Sequence, residues 1–135
     1  MRLTHQHGLY GGVALLSCAT LILQIALTRL YSALYGNHLA FLAISLSLFG
    51  IGLGGVLVYL FPSLAPRDAL LRRLAHVSAV GSIVTVVAIV YATKAKPPEA
   101  LDAASVARLA LLYAVSSAPF VFVGIAIAAA LERAA

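Results

Sequence analysis

Four apolar stretches, each long enough to cross a bilayer as a helix, take up most of this chain and leave only short polar connections between them. They fall at about residues 9–31, 38–61, 74–93 and 109–131. At a rise of ~1.5 Å per residue, about twenty helical residues cover the ~30 Å hydrocarbon core. Hydrocarbon offers no partner to a backbone N–H or C=O, so stretches of this kind pair their own backbone as helices. The expectation is an all-α polytopic membrane protein: one membrane domain over residues 1–135, with four transmembrane helices in two antiparallel hairpins.

Composition agrees. Hydrophobic residues make up 63% of the chain and charged residues 10%, where a soluble domain carries roughly a quarter charged. The formal net charge is +5, but the basic residues are spread between apolar segments instead of gathered on a soluble face, which argues against a nucleic-acid partner. They read as topology determinants and contacts to anionic lipid. Arg67, Arg72 and Arg73 crowd one connection, and the positive-inside rule makes that connection cytoplasmic, with both termini on the same side. The connection after the third stretch mixes Lys94, Lys96 and Arg108 with Glu99 and Asp102 and carries less topological information.

The run from Leu9 to Leu27 is too long for the apolar core of a signal peptide and no A-x-A-like site follows it, so it is retained as a span. His5 and His7 sit on a polar terminus expected to fray. Cys18, the single cysteine, reads as a small buried hydrophobe inside the first span.

Gln24 to Gly55 holds the polar groups set deepest in membrane-grade sequence. A cation at the bilayer centre costs at least ~2.5 kcal/mol, so Arg29 belongs at an interface, snorkels, or pairs within the bundle. Gln24 and Thr28 share a helix face, whereas Arg29 lies about 140° round from Gln24. The Gly36-Asn37 turn, in a connection expected over Ser32–Asn37, is short enough to force the second helix back antiparallel. Arg29 and His38 flank that turn, with Gln24 and Ser45 deeper, and these four form the candidate polar cluster. Along the second span, Ala40, Ala43, Ser47, Gly50 and Gly54 make a strip of small residues at i+3/i+4 spacing. In lipid such a strip lets two backbones approach closely, the neighbour being the first span, another span or another chain. Pro62 and Pro66 end the second helix. His76 reads as interfacial, Asp102 or Ser105 as the cap of the fourth helix. Pro119 is expected to kink that helix, with Ser116 and Ser117 satisfying the freed carbonyls.

All four acids lie in connections or at the chain end. The sequence presents no nucleophile with a base, no carboxylate pair, no metal cluster and no phosphate-cradling loop. The glycine-rich GIGLGG of Gly50–Gly55 lies inside an apolar helix, outside any βαβ context that would make it a dinucleotide loop. No catalytic, cofactor-binding or metal-binding residue is therefore expected.

The segment Leu15 to Pro62 resembles the N-terminal membrane region of bacterial spermidine synthase-like integral membrane proteins, also described as fused transporter/spermidine synthase proteins. The resemblance rests on Leu27-Thr28-Arg29-Leu30, on His38 to Phe41, on Ile44-Ser45 and on the Gly50–Gly55 run, with Ser117 to Leu131 similar to that family's fourth span. It implies a bacterial inner-membrane protein. Family members continue into further membrane helices or into a soluble aminopropyltransferase-like domain that binds decarboxylated S-adenosylmethionine and a polyamine. That domain is not expected within these residues, so its activity is not carried over. Gln24 stands where the family pattern favours glutamate, which puts proton-coupled transport in doubt. The expected function is a non-catalytic membrane module, an accessory or scaffolding subunit whose partners are the lipid bilayer and other membrane subunits or copies of itself. Two alternatives stay open: a small polyamine/cation or drug transporter acting as an oligomer, and the membrane part of a longer aminopropyltransferase-like enzyme.

Overall fold

A computed structural model of the chain describes residues 2–61, 63, 70–95 and 102–134, and their side chains apart from those of 2–7, 9, 37–40, 70, 71, 133 and 134. Four helices account for nearly all of it: α1 (Arg2–Tyr35), α2 (Asn37–Leu60), α3 (Leu70–Lys94) and α4 (Ala103–Ala134). Each contains a segment long and apolar enough to cross a membrane: Tyr10–Tyr35, Phe41–Leu60, Arg72–Lys94 and Ala103–Glu132. No strand occurs among the described residues. The chain is all-α with four spans.

The helices outrun their apolar stretches, because caps and turn residues set helix ends while hydropathy marks only the part that lipid can cover. α4 begins at Ala103, where Asp102 caps it: the Asp102 carboxylate accepts the Ser105 backbone N–H at 2.9 Å, satisfying one of the donors that a helix N-terminus leaves free. The connection expected over Ser32–Asn37 shrinks to one residue. α1 continues to Tyr35, α2 starts at Asn37, and Gly36 alone reverses the chain. Its φ of 83° lies in the left-handed region, which glycine enters without steric cost. The polar N-terminus is likewise helical from Arg2.

α4 is the hub, touching all three other helices, and its most extensive partner is α2. The two run parallel. Gly50 faces Ser117, Phe120 and Val121, Gly54 faces Val121, Gly124 and Ile125, and Val58 shares a cluster with Ala129. The seam is backbone against backbone. A methyl on Gly50 would lie 2.6 Å from Phe120 Cβ and 2.8 Å from the Ser117 carbonyl oxygen. One on Gly54 would overlap the Val121 carbonyl oxygen and lie 2.7 Å from the Ile125 nitrogen, and one on Gly124 would strike the Ile51 backbone. Lipid tails are as apolar as leucine, so such close approach, with the dispersion contacts it allows, is what holds membrane helices together.

The main core cluster lies where the C-terminal ends of α1 and α3 meet the first halves of α2 and α4: Leu27, Tyr31, Ala43, Leu46, Ala92, Leu112 and Phe120 are all buried. α1 and α3 scarcely touch one another. α1 accordingly buries only a narrow stripe, through Thr20, Leu27 and Tyr31. Cys18 falls off that stripe and is exposed, not buried as its apolar setting suggests.

Candidate functional site

Polar chemistry inside the bundle concentrates at two places. The first is a tyrosine latch at the C-terminal end of α1. Tyr31 and Tyr35 stand one helical turn apart, so they share a face, and their rings pack edge to face at 5.9 Å between centroids. The buried Tyr31 hydroxyl donates to the Ser116 hydroxyl of α4. The Tyr35 hydroxyl lies 3.2 Å from the Ala92 carbonyl oxygen and 2.9 Å from that of Ala95. These carbonyls close α3, where a helix has no further N–H to offer them, so Tyr35 acts as a C-terminal cap supplied from another helix. Two side chains thus tie α1 to α4 and α3.

The second place is a lateral cleft of about 270 Å³ between α1 and α3, floored by α4 at Pro119, Phe122, Val123 and Ala126. Three hydroxyls on its walls are turned back on their own helices: Thr20 donates to the Leu16 carbonyl at 2.7 Å, Ser82 to Ser78 at 2.9 Å and Thr85 to Gly81 at 2.8 Å. The cleft therefore presents a mainly apolar lining.

Of the candidate polar cluster, the side chains of Gln24, Arg29 and Ser45 are described. Gln24 is half-buried and its backbone carbonyl accepts the Thr28 hydroxyl at 2.8 Å. Arg29 is exposed and makes no hydrogen bond or ion pair to any described residue. Ser45 is exposed and its hydroxyl lies 3.3 Å from the Phe41 carbonyl oxygen of its own helix. No hydrogen bond joins Gln24, Arg29 and Ser45, and the side chain of His38 lies outside the described residues. In the small-residue strip, Ala43, Ser47, Gly50 and Gly54 are buried, while the side chain of Ala40 lies outside the described residues. At Gly50 and Gly54 the neighbour is α4 of the same chain. Ser47 donates to the Ile44 carbonyl at 2.8 Å.

α4 runs on as helix through the buried Pro119. Of the two serines before it, Ser117 donates to the Ala114 carbonyl at 2.9 Å, while Ser116 takes the long-range bond from Tyr31. His76 is exposed, its Nδ1–H donating to the Arg72 carbonyl at 2.7 Å. Among the described residues, no group of three His, Cys, Asp or Glu side chains is placed to hold a metal.

Tyr31, Tyr35 and Gly124 were not singled out by sequence reasoning, and Ser116, expected to satisfy a carbonyl of its own helix, instead takes the bond from Tyr31. The i, i+4 spacing of the two tyrosines was a usable signal for a shared face. Nothing local marks Ser116 as the partner of a residue 85 positions away.

Four bilayer-length helices, a backbone-tight seam and hydroxyls satisfied inside the bundle define a multi-pass α-helical membrane protein. Comparisons with protein-family models, with curated proteins and with solved structures give no match.

Proposed function

We propose that this chain is a non-catalytic membrane module, an accessory or scaffolding subunit that packs against other membrane proteins of a bacterial inner membrane. One observation carries the reading: the chain keeps a closed α2–α4 core and leaves α1 and α3 mostly uncovered. Only 11% of the α1 span and 6% of the α3 span is buried, against 44% of α4. A chain built this way has two long helices whose outer faces are available to neighbours. The resemblance of Leu15–Pro62 to spermidine synthase-like membrane domains supports the same reading, since there the helices accompany a separate working domain. The arginines before and within α3 support a cytoplasmic position for that end, hence for both termini.

The test is extraction from native membranes in a gentle detergent, followed by mass spectrometry of whatever migrates with the chain. A partner membrane protein in fixed stoichiometry is the expected result. A lone monomer or homodimer that drives polyamine or cation uptake into proteoliposomes would replace this reading with that of a transporter.

A further inference from the structure

We infer that the cleft between α1 and α3 is a binding site for one acyl chain of an anionic phospholipid. Its lining runs from Leu16 to Leu23 on α1, from Val77 to Thr85 on α3 and from Pro119 to Ala126 on α4. Seven or eight helical residues at ~1.5 Å each make it about 11 Å long. Its volume is about 270 Å³. A helix with its side chains, ~10 Å across, has a section of about 80 Å², four times the roughly 20 Å² of a single methylene chain at van der Waals separations of about 4 Å, so a cleft of this size suits the chain better than the helix. At about 1.2 Å per bond of extended chain, some nine methylenes span the same 11 Å.

The chemistry of the walls points the same way. Thr20, Ser82 and Thr85 have each given their proton to a carbonyl of their own helix, which leaves the Ser78 hydroxyl as the one side-chain donor in an otherwise apolar lining. A polar solute entering it would lose most of its water without replacement bonds; a hydrocarbon chain loses nothing. The cleft also has a charged rim. Arg73 is exposed on α3 one turn before the cleft-lining Val77, about 6 Å along the helix at ~1.5 Å per residue, and has no ion pair with a described residue; Arg72 falls on the far side of the helix. A lipid whose tail occupies the cleft has its headgroup at this level, where the Arg73 guanidinium favours a phosphate carrying net negative charge.

The test reconstitutes the full chain in nanodiscs of equal phosphatidylglycerol and phosphatidylcholine, extracts it in mild detergent and counts bound lipid by native mass spectrometry. The expected result is one retained phosphatidylglycerol per chain. Ser82→Leu and Ala19→Leu fill the cleft from opposite walls and keep it apolar; each displaces about two methylenes with their packing contacts and lowers retention about threefold. Ala79→Leu lies on α3 outside the lining and leaves retention unchanged. Thermal unfolding of each variant identifies any that fails to fold, and the other wall then serves. Equal retention of the two lipids, retention unaffected by both cleft variants, or a copurifying protein helix displaced by those variants would each overturn the proposal.

Discussion

Gly54→Ala is the sharpest probe of the α2–α4 seam. The added methyl meets backbone: it overlaps the Val121 carbonyl oxygen and lies 2.7 Å from the Ile125 nitrogen, where ordinary contact begins at 3.4 Å. No side chain can rotate away, so the helices must separate by at least about 0.7 Å, and at that gap each atom pair forfeits roughly a quarter to a half of its ~0.1–0.2 kcal/mol. Over some tens of pairs along a parallel seam the loss is about 1–3 kcal/mol, the range found when extra carbons are forced into packed cores. Gly52, on the same helix, has nothing within 4 Å of a built Cβ. There alanine brings only its better helix propensity, up to about 1 kcal/mol in the stabilising direction. Reversible unfolding in mixed micelles, with dodecyl sulfate titrated against a mild detergent, reads both variants in one assay. The two alanines are expected to move stability in opposite directions, and Gly54→Ala combined with Gly124→Ala to cost less than the sum, because separation forced by one methyl makes room for the other. If Gly54→Ala and Gly52→Ala behave alike, the seam is not held by backbone contact and the argument fails.

Tyr31→Phe leaves the buried Ser116 hydroxyl without its long-range partner and is expected to lower stability by about 1 kcal/mol, with most of the effect absent in a Ser116→Ala background; equal effects in both backgrounds would show that the bond contributes nothing. Arg29→Leu removes an exposed, unpaired cation and should change the unfolding free energy by less than about 0.5 kcal/mol, a loss beyond 1 kcal/mol revealing a partner the bundle does not display. The Asp102 carboxyl is held below its ordinary value of 3.8 by the Ser105 hydroxyl and then by the Ser105 backbone N–H. Its folded value being the lower one, its contribution is present above pH 3.8 and lost as pH falls through the folded value. The protection of the Ser105 and Val106 amides, taken relative to their intrinsic exchange rates at each pH, should therefore fall with acidification in the wild type and not in Asp102→Asn, and identical protection profiles would remove the cap from the account.

Hydropathy made the spans legible because lipid imposes it residue by residue. The connections were legible too, apart from their length: a glycine able to take φ 83° closes α1 to α2 in one residue, where a longer turn was expected. The small-residue strip on α2 could be read as a packing face, but shape complementarity carries no address, so Gly50 and Gly54 did not name α4 as their partner. The tyrosine latch was illegible for a related reason. A hydroxyl in an apolar helix bonds equally well to its own backbone, as Thr20 and Ser117 do, or across the bundle, as Tyr31 does, and only the packed arrangement decides. Arg29 and Ser45 were grouped by nearness to one turn, yet helical phase sets both on exposed faces.

The parallel pairing of α2 with α4 also sets a schedule. A ribosome adds roughly 5–20 residues per second, so the 70 positions separating Gly54 from Gly124 take about 4–14 s to make. Throughout that interval α2 is in the bilayer with its glycines against lipid, held by α1 alone, and only the last of the four helices to arrive can close the seam. Whatever helix diffuses past in those seconds competes for the same face. Fidelity of assembly therefore depends on how long the membrane keeps α2 waiting as well as on how well α4 fits.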